Sequence, residues 1–312
     1  MIYTVTLNPS LDRTLSVPEL HPGTIHQARL VRSDLGGKGV NVSRALRALD
    51  IPSHIIGFSG GWTGSALRQG LLAEGFDVSF VDVGDALRQN ITLLDESNGQ
   101  YTKLNEQGPS INEQHVAKLE KQIARSLHPG DLWAFCGSLP PGAPADLYAR
   151  LINLVQENNG LAFLDSSGAP LREGAAARPF ALKINTEEAA ELLGRRLQSD
   201  REVCNASRDL KNHGIRIVLL TRGMQGAVLA MNDTVVIAVP PTVAAGSPVG
   251  AGDATLAGLL WAVQDQCDPV AKLRRAVACG TAAAMQSGTG VGDRALVQEL
   301  LEQVKIANLP GD

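Results

Sequence analysis

The segment from residue 112 to residue 220 alternates between stretches typical of helices and short apolar stretches typical of buried strands. This alternation restricts the fold strongly, because strands separated by helices usually form parallel sheets with helical crossovers. The predicted strands here are 131–136, 161–165, 181–184 and 215–220, and the predicted helices are 112–126, 144–157, 187–193 and 201–213. We therefore predict an α/β fold with a mainly parallel central sheet flanked by helices.

Predicted elements on either side of this segment extend the same sheet. The N-terminal stretch 2–7 is apolar and β-branched and stops at the turn signal Asn8-Pro9, which is typical of a buried strand. The remaining predicted elements are strand 54–58, helix 62–74, strands 227–231 and 235–239, and helices 252–264, 269–286 and 293–304.

Four other stretches show the partial alternation of polar and apolar residues that is typical of strands with one exposed face. They are 10–17, 24–31, 88–94 and 100–104, and the last two flank the turn signal Ser97-Asn98-Gly99. We predict that they form a second, small β-sheet that stands off a single domain covering residues 1–312. Its segments are expected at about 11–33 and 78–105.

Composition and charge argue against several classes of function. The 312 residues include 28 basic and 32 acidic side chains, with a net charge of −4 and 4% aromatic residues. We therefore expect no broad basic face for nucleic acid or for an anionic membrane. The four cysteines show no zinc-ligand spacing, so we predict neither metal binding nor disulfides through them. Without a signal peptide or an apolar stretch of ~18 residues, the chain is expected to be cytoplasmic.

The stretch Gly246–Leu260, GSPVGAGDATLAGLL, joins a glycine-rich turn to an apolar run with helical character. It places Asp253 beside the backbone N–H groups of a helix N-terminus, where the helix dipole favours anions. A single carboxylate among such donors indicates chemistry more than helix capping. A second glycine-rich turn, Gly36–Gly39, precedes a predicted helix. Lys38 and Asn41 are expected on the first turn of this helix.

This second turn predicts contact with an anion or a hydroxyl, since glycines permit close backbone approach; a plain turn is the alternative. Neither the P-loop pattern nor GxGxxG is present, which argues against a nucleotide-dependent oxidoreductase. Because ligands of such sheets bind beyond the carboxyl ends of strands, the loops that directly follow predicted strands are also candidates. They are 137–142, 165–168, 185–188 and 221–226.

Together these motifs resemble the ribokinase-like, pfkB-type carbohydrate kinases, and in particular the branch with 1-phosphofructokinase, tagatose-6-phosphate kinase and the minor 6-phosphofructokinase. The resemblance covers nearly the whole chain and is carried by five stretches in a fixed order. They are Thr6–Asp12 (TLNPSLD), Gly36–Val42 (GGKGVNV), Asn105–Pro109 (NEQGP), Gly137–Gly142 (GSLPPG) and Val249–Asp253 (VGAGD).

The resemblance implies a role for individual residues of the reaction site. Asp253 is expected to be the catalytic base, and the amides of Gly250, Ala251 and Gly252 are expected to form an anion hole for the transferred phosphoryl group. The expected acceptor contacts are Asp12, Gly37 and Asn41 with the sugar hydroxyls, and Lys38, Arg88 and Ser138 with the sugar phosphate, with Asn90 nearby.

The resemblance also implies a nucleotide site for ATP with Mg2+. The expected ATP contacts are Lys183, Asn185, Thr221, Gly223, Gly226, Gly252 and Gly280. Glu188 is expected to hold the metal through water. Three positions depart from the family pattern without removing a reactive group: Ile184 replaces a frequent Pro, Pro248 replaces a common Thr, and Arg222 occupies a usually apolar position.

The expected reaction is the ATP-dependent phosphorylation of a ketohexose phosphate to a bisphosphate. Fructose 1-phosphate is favoured as acceptor because 105–109 is most similar to the 1-phosphofructokinase version. The alternatives are tagatose-6-phosphate kinase, which 247–255 resembles, and 6-phosphofructokinase, which 88–90 resembles. A remote alternative is a non-catalytic sugar-phosphate sensor. In this family the small sheet is a lid over the sugar, and we expect a homodimer through it.

Overall fold

The structure of the protein is a computed structural model that describes residues 1–244, 246, 249–286, 288 and 290–307. Its centre is a large sheet whose strands run mostly parallel, with helices on both faces, which confirms the predicted α/β fold. A second, small sheet is also present, as predicted. Ser247 and Pro248, which carry part of the similarity to tagatose-6-phosphate kinase, lie outside the described residues.

The strands are β1 (Ile2–Thr6), β2 (Ser10–Val17), β3 (Arg29–Gly36), β4 (His54–Ser59), β5 (Asp77–Asp82), β6 (Arg88–Asp95), β7 (Tyr101–Asn105), β8 (Leu132–Cys136), β9 (Leu161–Asp165), β10 (Ala181–Asn185), β11 (Ile217–Thr221), β12 (Ala227–Met231), β13 (Thr234–Val239) and β14 (Lys305–Ala307). The helices are α1 (Lys38–Ala48), α2 (Gly61–Ala73), α3 (Glu113–Ser126), α4 (Leu147–Glu157), α5 (Gly168–Ala176), α6 (Thr186–Leu193), α7 (Asp200–Asn212), α8 (Ala251–Gln264), α9 (Pro269–Ala284) and α10 (Arg294–Gln303).

The large sheet has the strand order β14-β13-β12-β11-β10-β9-β8-β1-β4-β5. From β5 to β11 neighbouring strands pair in parallel, while β12, β13 and β14 form an antiparallel edge. The order reverses beside β1, because the chain first adds β4 and β5 on one side and later adds β8 and β9 on the other. Ligands of open parallel sheets bind at such a reversal, beyond the carboxyl ends of the strands.

The two faces of the sheet are covered by separate sets of helices. Buried apolar residues of α1, α8, α9 and α10 pack on one face, and those of α3 to α7 pack on the other. Strand β8 shows why both faces are covered, because all five of its residues are buried. Ala134 and Cys136 belong to the first core and Trp133 and Phe135 to the second. A continuous apolar strand of this kind is typical of a parallel sheet with two covered faces.

Helix α8 is buried along nearly its whole length, with every residue from Asp253 to Val263 enclosed. It packs between α1 and α9, and Gly258 allows the close approach of α9, since a Cβ there would lie 2.6 Å from the carbonyl oxygen of Arg275. Its apolar character therefore reflects a buried core helix. Among the helices of the described residues, none has the length and apolar character needed to cross a bilayer.

The small sheet has the strand order β3-β2-β6-β7, with β2 and β6 parallel and the other pairs antiparallel. The second segment of the small sheet was expected at 78–105 but begins only at Arg88. The residues of β5, at the start of the expected segment, pair instead with β4 at the edge of the large sheet. The sequence analysis also did not predict α5 or β14. Strand β5 is a partly exposed edge strand, and β14 has only three residues, so neither leaves a clear periodic pattern.

The close contact between α8 and α9 gives a test of the packing. Replacing Gly258 by Ala should destabilise the fold by about 1–3 kcal/mol, because the added methyl meets backbone atoms that have no room to move. Gly70→Ala in α2 is the matched control, since its Cβ meets only the end of the Leu35 side chain. Urea unfolding of both variants measures the difference, and equal stability of the two would contradict this packing.

Candidate active site

Five polar side chains meet beyond the carboxyl ends of β1, β8, β9 and β10, where the strand order reverses. The amide of Asn41 donates from Nδ2 to Asp253 Oδ2 at 2.8 Å. Lys38 Nζ donates to Asp165 Oδ1 at 2.8 Å, and Lys183 Nζ donates to Asp165 Oδ2 at 2.9 Å. The cluster therefore holds two carboxylates and two ammonium groups around the start of α8.

The start of α8 is arranged to receive an anion. Gly250 is the N-cap residue and has a left-handed backbone, with φ of +83°, a conformation that favours glycine. Because Gly250 has no side chain, it cannot cap the amides of the first helical turn, and these amides lie at the positive end of the helix dipole. Asp253 lies in this first turn and is buried, with 7% of its surface exposed.

The environment of Asp253 changes its acidity. Burial raises the pKa of Asp253 from 3.8 to about 6, and the negative charge of Asp165 acts in the same direction. The charges of Lys38 and Lys183 and the hydrogen bond from Asn41 oppose this rise. A carboxylate with a pKa near neutrality is a better proton acceptor than an ordinary aspartate, while it stays ionised at physiological pH.

Asp12 and Asn90 lie side by side on the small sheet, in register on the paired strands β2 and β6. Asn90 Nδ2 and Ser10 Oγ both donate to Asp12 Oδ1, each at 2.7 Å. On the opposite side, a Cβ at Gly36 would lie 2.2 Å from Asp12 Oδ2, so this glycine makes room for the carboxylate. The predicted sugar contact Gly37 follows as the N-cap residue of α1.

Buried amide oxygens in this region lack hydrogen-bond partners among the described residues. They are the Oδ1 atoms of Asn8, Asn41 and Asn90. Buried acceptors in native proteins are nearly always satisfied, so these atoms are available to hydroxyl donors of a bound molecule. Asn41 and Asn90 were both predicted from the sequence as substrate contacts.

A cleft of about 500 Å3 lies next to these residues and is lined in part by Asn8, Arg88 and Ser138. The guanidinium of Arg88 donates from Nε to the Asn8 carbonyl oxygen at 3.1 Å. Burial lowers the pKa of Arg88, opposed by the charge of Asp12. The structure thus brings the predicted phosphate contacts Arg88 and Ser138 to one cleft.

Asn8 was not predicted as a site residue, yet it connects the segments that form this cleft. Its Nδ2 donates to the Gln107 carbonyl oxygen at 3.0 Å and lies 3.4 Å from Ser138 Oγ. Its backbone oxygen holds Arg88. In the sequence, Asn8 belongs to the turn signal Asn8-Pro9 and to the stretch Thr6–Asp12 that carries the family resemblance, but neither signal gave it a role of its own.

Asp165 was also missed as an individual residue, although the loop that begins with it was selected for its position after β9. Its carboxylate is fully buried and is paired with both lysines. Burial alone would raise the pKa of Asp165, but the two ammonium groups hold it below its usual value. Burial alone would lower the pKa of Lys38, but the charge and hydrogen bond of Asp165, together with the charges of Asp253 and Glu188, raise it above its usual value, so the ammonium stays charged.

The predicted nucleotide contacts lie along the ends of β10 and β11. Asn185 and Glu188 form a capping box at the start of α6, in which Asn185 Oδ1 accepts from the Glu188 amide and Glu188 Oε2 accepts from the Asn185 amide. Thr221 ends β11, and Gly223 and Gly226 belong to the turn that follows it. These strand ends bring the residues to one edge of the sheet.

Two nucleotide-side residues are placed in ways that the sequence did not reveal. The guanidinium of Arg222 forms an ion pair with Asp200 at the start of α7, so this departure from the family pattern joins the turn to a neighbouring helix. Gly280 packs against α8, where a Cβ would lie 2.2 Å from Thr255 Oγ1. Gly280 therefore supports the first turns of α8, and its predicted contact with ATP stays a prediction.

The residues suit Mg2+ bound together with a polyphosphate. Among the described residues, no cluster of three or more His, Cys, Asp or Glu side chains is arranged to hold a metal by itself. Glu188 uses one carboxylate oxygen in its capping box, and its charge acts on Lys38 in the cluster. Mg2+ usually takes one or two carboxylates together with water and substrate phosphates, so the donor set fits the predicted role of Glu188.

Comparison with known proteins supports the similarity inferred from the motifs. The model of the pfkB family carbohydrate kinases matches residues 6–295. A 1-phosphofructokinase of Bacillus subtilis is 33% identical over 309 residues, which cover 99% of this chain and 100% of that protein. A D-tagatose-1-phosphate kinase of Bacillus licheniformis is 31% identical, with coverage of 99% and 100%.

Solved structures show the same fold. Phosphofructokinase-2 from Escherichia coli in complex with potassium superimposes with a TM-score of 0.92 at 29% identity, covering 97% of this chain and 98% of that chain. The same protein in complex with fructose-6-phosphate gives a TM-score of 0.90 at 29% identity, with the same coverage. The similarity extends over both sheets of the chain.

The raised pKa of Asp253 has a consequence for stability. Because the folded protein binds this proton more tightly than the unfolded chain does, stability should fall as the pH rises from about 4 to about 6. Asp253→Asn removes this penalty and should be more stable than the wild type at pH 7.5 by about 1–3 kcal/mol, with a smaller difference near pH 4. Urea unfolding at the two pH values measures it.

Asp95→Asn is a control of opposite sign. The hydrogen bond from the Ser97 side chain lowers the pKa of Asp95, so its stabilising effect is present at neutral pH and is lost in acid. This variant should therefore be less stable than the wild type at pH 7.5. A loss of stability in Asp253→Asn at that pH would contradict the conclusion that burial disfavours the ionised form of Asp253.

Proposed function

The chain belongs to the pfkB family of carbohydrate kinases, and from this we propose that it phosphorylates fructose 1-phosphate with ATP to form fructose 1,6-bisphosphate. The family makes it a phosphotransferase with an alcohol group as acceptor and ATP as the phosphoryl donor. The observation that carries the proposal is the environment of Asp253, a buried carboxylate with a raised pKa in the first turn of α8, on which the charges of Lys38 and Lys183 act.

The proposed chemistry uses the cluster as it stands. The acceptor hydroxyl loses its proton to Asp253, and its oxygen forms a bond to the γ-phosphorus of ATP while the bond to the β,γ-bridging oxygen breaks and ADP leaves. The amides of Gly250, Ala251 and Gly252 stabilise the charge on the transferred phosphoryl group. Lys183 lies under the same turn, since a Cβ at Gly252 would be 2.9 Å from its Nζ.

The choice of acceptor rests on a shared feature of the relatives. A 1-phosphofructokinase and a D-tagatose-1-phosphate kinase are both named for ketohexose 1-phosphates, and both match the chain over nearly its full length. Arg88 and Ser138 line the cleft, and we propose that they bind the acceptor phosphate together with Lys38. Asp12, Asn41 and Asn90 supply acceptors for sugar hydroxyls. A D-tagatose phosphate is the second candidate, because it presents the same chemistry at the phosphate.

Mg2+ is part of the proposal as the ion that accompanies ATP. When bound, it neutralises charge on the phosphates during transfer. Asn185 and Glu188 would hold it, with Glu188 acting through water. The backbone amide of Asn185 holds one oxygen of the Glu188 carboxylate in the α6 capping box, and the charge of Glu188 acts on Lys38.

We further propose that the small sheet is a lid over the acceptor and that two chains form a homodimer through it. Lid closure would exclude water, which competes with the sugar for the phosphoryl group. Large apolar side chains of this sheet are exposed, including Tyr101 at 64%, Leu104 at 56% and Leu30 at 52%. Exposed apolar patches of this kind mark interaction surfaces. A cytoplasmic location belongs to the same proposal.

An acceptor panel tests the reaction. ADP release is expected with fructose 1-phosphate in the presence of Mg2+, weaker release with tagatose phosphates and fructose 6-phosphate, and little with free fructose. Asp253→Asn should lower turnover by orders of magnitude while binding ATP with similar affinity. Activity confined to free sugars would refute the phosphate pocket, and binding without turnover in the wild type would favour a sugar-phosphate sensor.

The dimer is tested by changing the exposed face of the lid. Analytical ultracentrifugation should give a dimer for the wild type and a monomer for Leu104→Glu, because a buried charge opposes association. Leu72→Glu is the matched control, since Leu72 is similarly exposed on α2 of the large domain. A monomeric wild type at micromolar concentration, or equal effects of the two variants, would contradict an interface through the lid.

A further inference from the structure

Asp165 is the connecting point of the charged cluster, although no motif of the sequence drew attention to it. Each oxygen of its carboxylate accepts a hydrogen bond from a different lysine, Oδ1 from Lys38 and Oδ2 from Lys183. The carboxylate has 0% of its surface exposed, so the two ammonium groups supply its main compensation for the loss of water.

The backbone around Asp165 is held in a fixed position. Asp165 is the last residue of β9 and pairs in register with Cys136 of β8. Its carbonyl oxygen accepts from the Gly137 amide at 2.8 Å, and the Gly137 carbonyl accepts from the hydroxyl groups of Tyr148 and Ser166. The carboxylate is therefore presented from a rigid strand end, while both of its partners have long, flexible side chains.

The two lysines reach Asp165 from different elements. Lys183 comes from the neighbouring strand β10, and its side chain is only 6% exposed. Lys38 comes from the first turn of α1, and its side chain is 37% exposed. One ammonium is thus enclosed beneath α8, while the other borders the open side of the cluster.

Without Asp165, the nearby carboxylate that interacts with both ammonium groups is Asp253, while Glu188 interacts with Lys38. Both lysine charges already act on Asp253, the other carboxylate at the centre of the cluster. An ammonium enclosed beside the positive end of α8 is unfavourable unless an anion compensates it. A lysine released from Asp165 would therefore turn to Asp253 and form an ion pair with it.

We propose that Asp165 is a positioning residue that holds Lys38 and Lys183 away from Asp253, so that Asp253 remains free to accept a proton. The role of Asp253 as base rests on the proposed function, whereas the arrangement of the three charged partners does not. Asp165 leaves Lys38 and Lys183 in fixed places beside the start of α8, where phosphate groups of the substrates are expected. It does not itself touch the reacting atoms.

The charges around Asp253 agree with this role. Burial is the main cause of its raised pKa, Asp165 adds to it, and Lys38, Asn41 and Lys183 oppose it. Two further titratable groups belong to the surroundings: Glu188 acts on Lys38, and the buried thiol of Cys136 is affected by Asp165 and Asp253 and has a raised pKa. Loss of Asp165 removes a repulsion and permits a new ion pair, and both changes make Asp253 a weaker base.

The test is a titration of Asp253 in Asp165→Asn, followed by carboxyl 13C NMR on the folded protein without substrates. The resonance of Asp253 is identified by its absence in Asp253→Asn. We expect the midpoint to fall by about one to three pH units, as a close opposite charge does. The acid limb of kcat/KM should move in the same direction, and KM should rise for both substrates.

Asp131→Asn is the matched control. Asp131 is also a buried carboxylate at the edge of a strand, and it accepts from the ammonium group of Met1 at 2.8 Å, far from the cluster. This variant should leave the Asp253 midpoint unchanged. An unchanged or higher midpoint in Asp165→Asn would overturn the proposal, whatever happens to activity.

A double variant covers the case in which Asp165→Asn fails to fold with an enclosed, unpaired Lys183. Replacing both members of the pair, as Asp165→Asn with Lys183→Met, removes the charge together with its partner and is better tolerated. Its Asp253 midpoint should lie below that of Lys183→Met alone, and equal midpoints would overturn the proposal. Because the titration needs no turnover, a protein inactive on sugar phosphates would refute the proposed function and leave this inference standing.

Discussion

The structure depends on the balance of charge at the centre of the sheet edge. Asp165 and Asp253 are both buried, and an isolated buried carboxylate is strongly unfavourable. Asp165 is compensated by Lys38 and Lys183, whereas Asp253 accepts a hydrogen bond from Asn41 and lies at the N-terminus of α8. The fold around them is rigid because α8 is enclosed by α1, α9 and the sheet. The unequal compensation gives the two carboxylates different acidities within one site.

The large sheet could be predicted from the sequence because its strands are buried on both faces. A strand such as β8 reads as a continuous apolar run, and the helices between such runs leave a clear alternation. Elements that contribute little to the core could not be predicted in the same way. They are the partly exposed β5, the nine-residue α5 and the three-residue β14. The register of β2 against β6 was hidden as well, since it joins strands far apart in the chain.

The same distinction applies to the site. Asp253, Lys38 and Asn41 lie in the first turns of helices that begin at glycine-rich stretches, and this local pattern identified them as candidates. Asp165 had no pattern of its own, because its importance comes from Lys38, which lies 127 residues away in the chain. Asn8 is similar, since it acts through Gln107 and Ser138 at separations of 99 and 130 residues. Residues that act through distant partners become recognisable only when the sheet order is known.

The residues proposed for the reaction and those proposed for acceptor binding come from different parts of the molecule and meet at the start of α1. The start of α8, Lys38 and Lys183 belong to the part of the chain that is built on the large sheet. Asp12, Arg88 and Asn90 belong to the small sheet, where the pairing of β2 with β6 sets their spacing. Because Arg88 is held by Asn8 at the end of β1, the small sheet is tied to the large one at the cleft. We therefore expect a change in acceptor to involve the small sheet and its contact with Asn8, together with Lys38 and Asn41 at the start of α1.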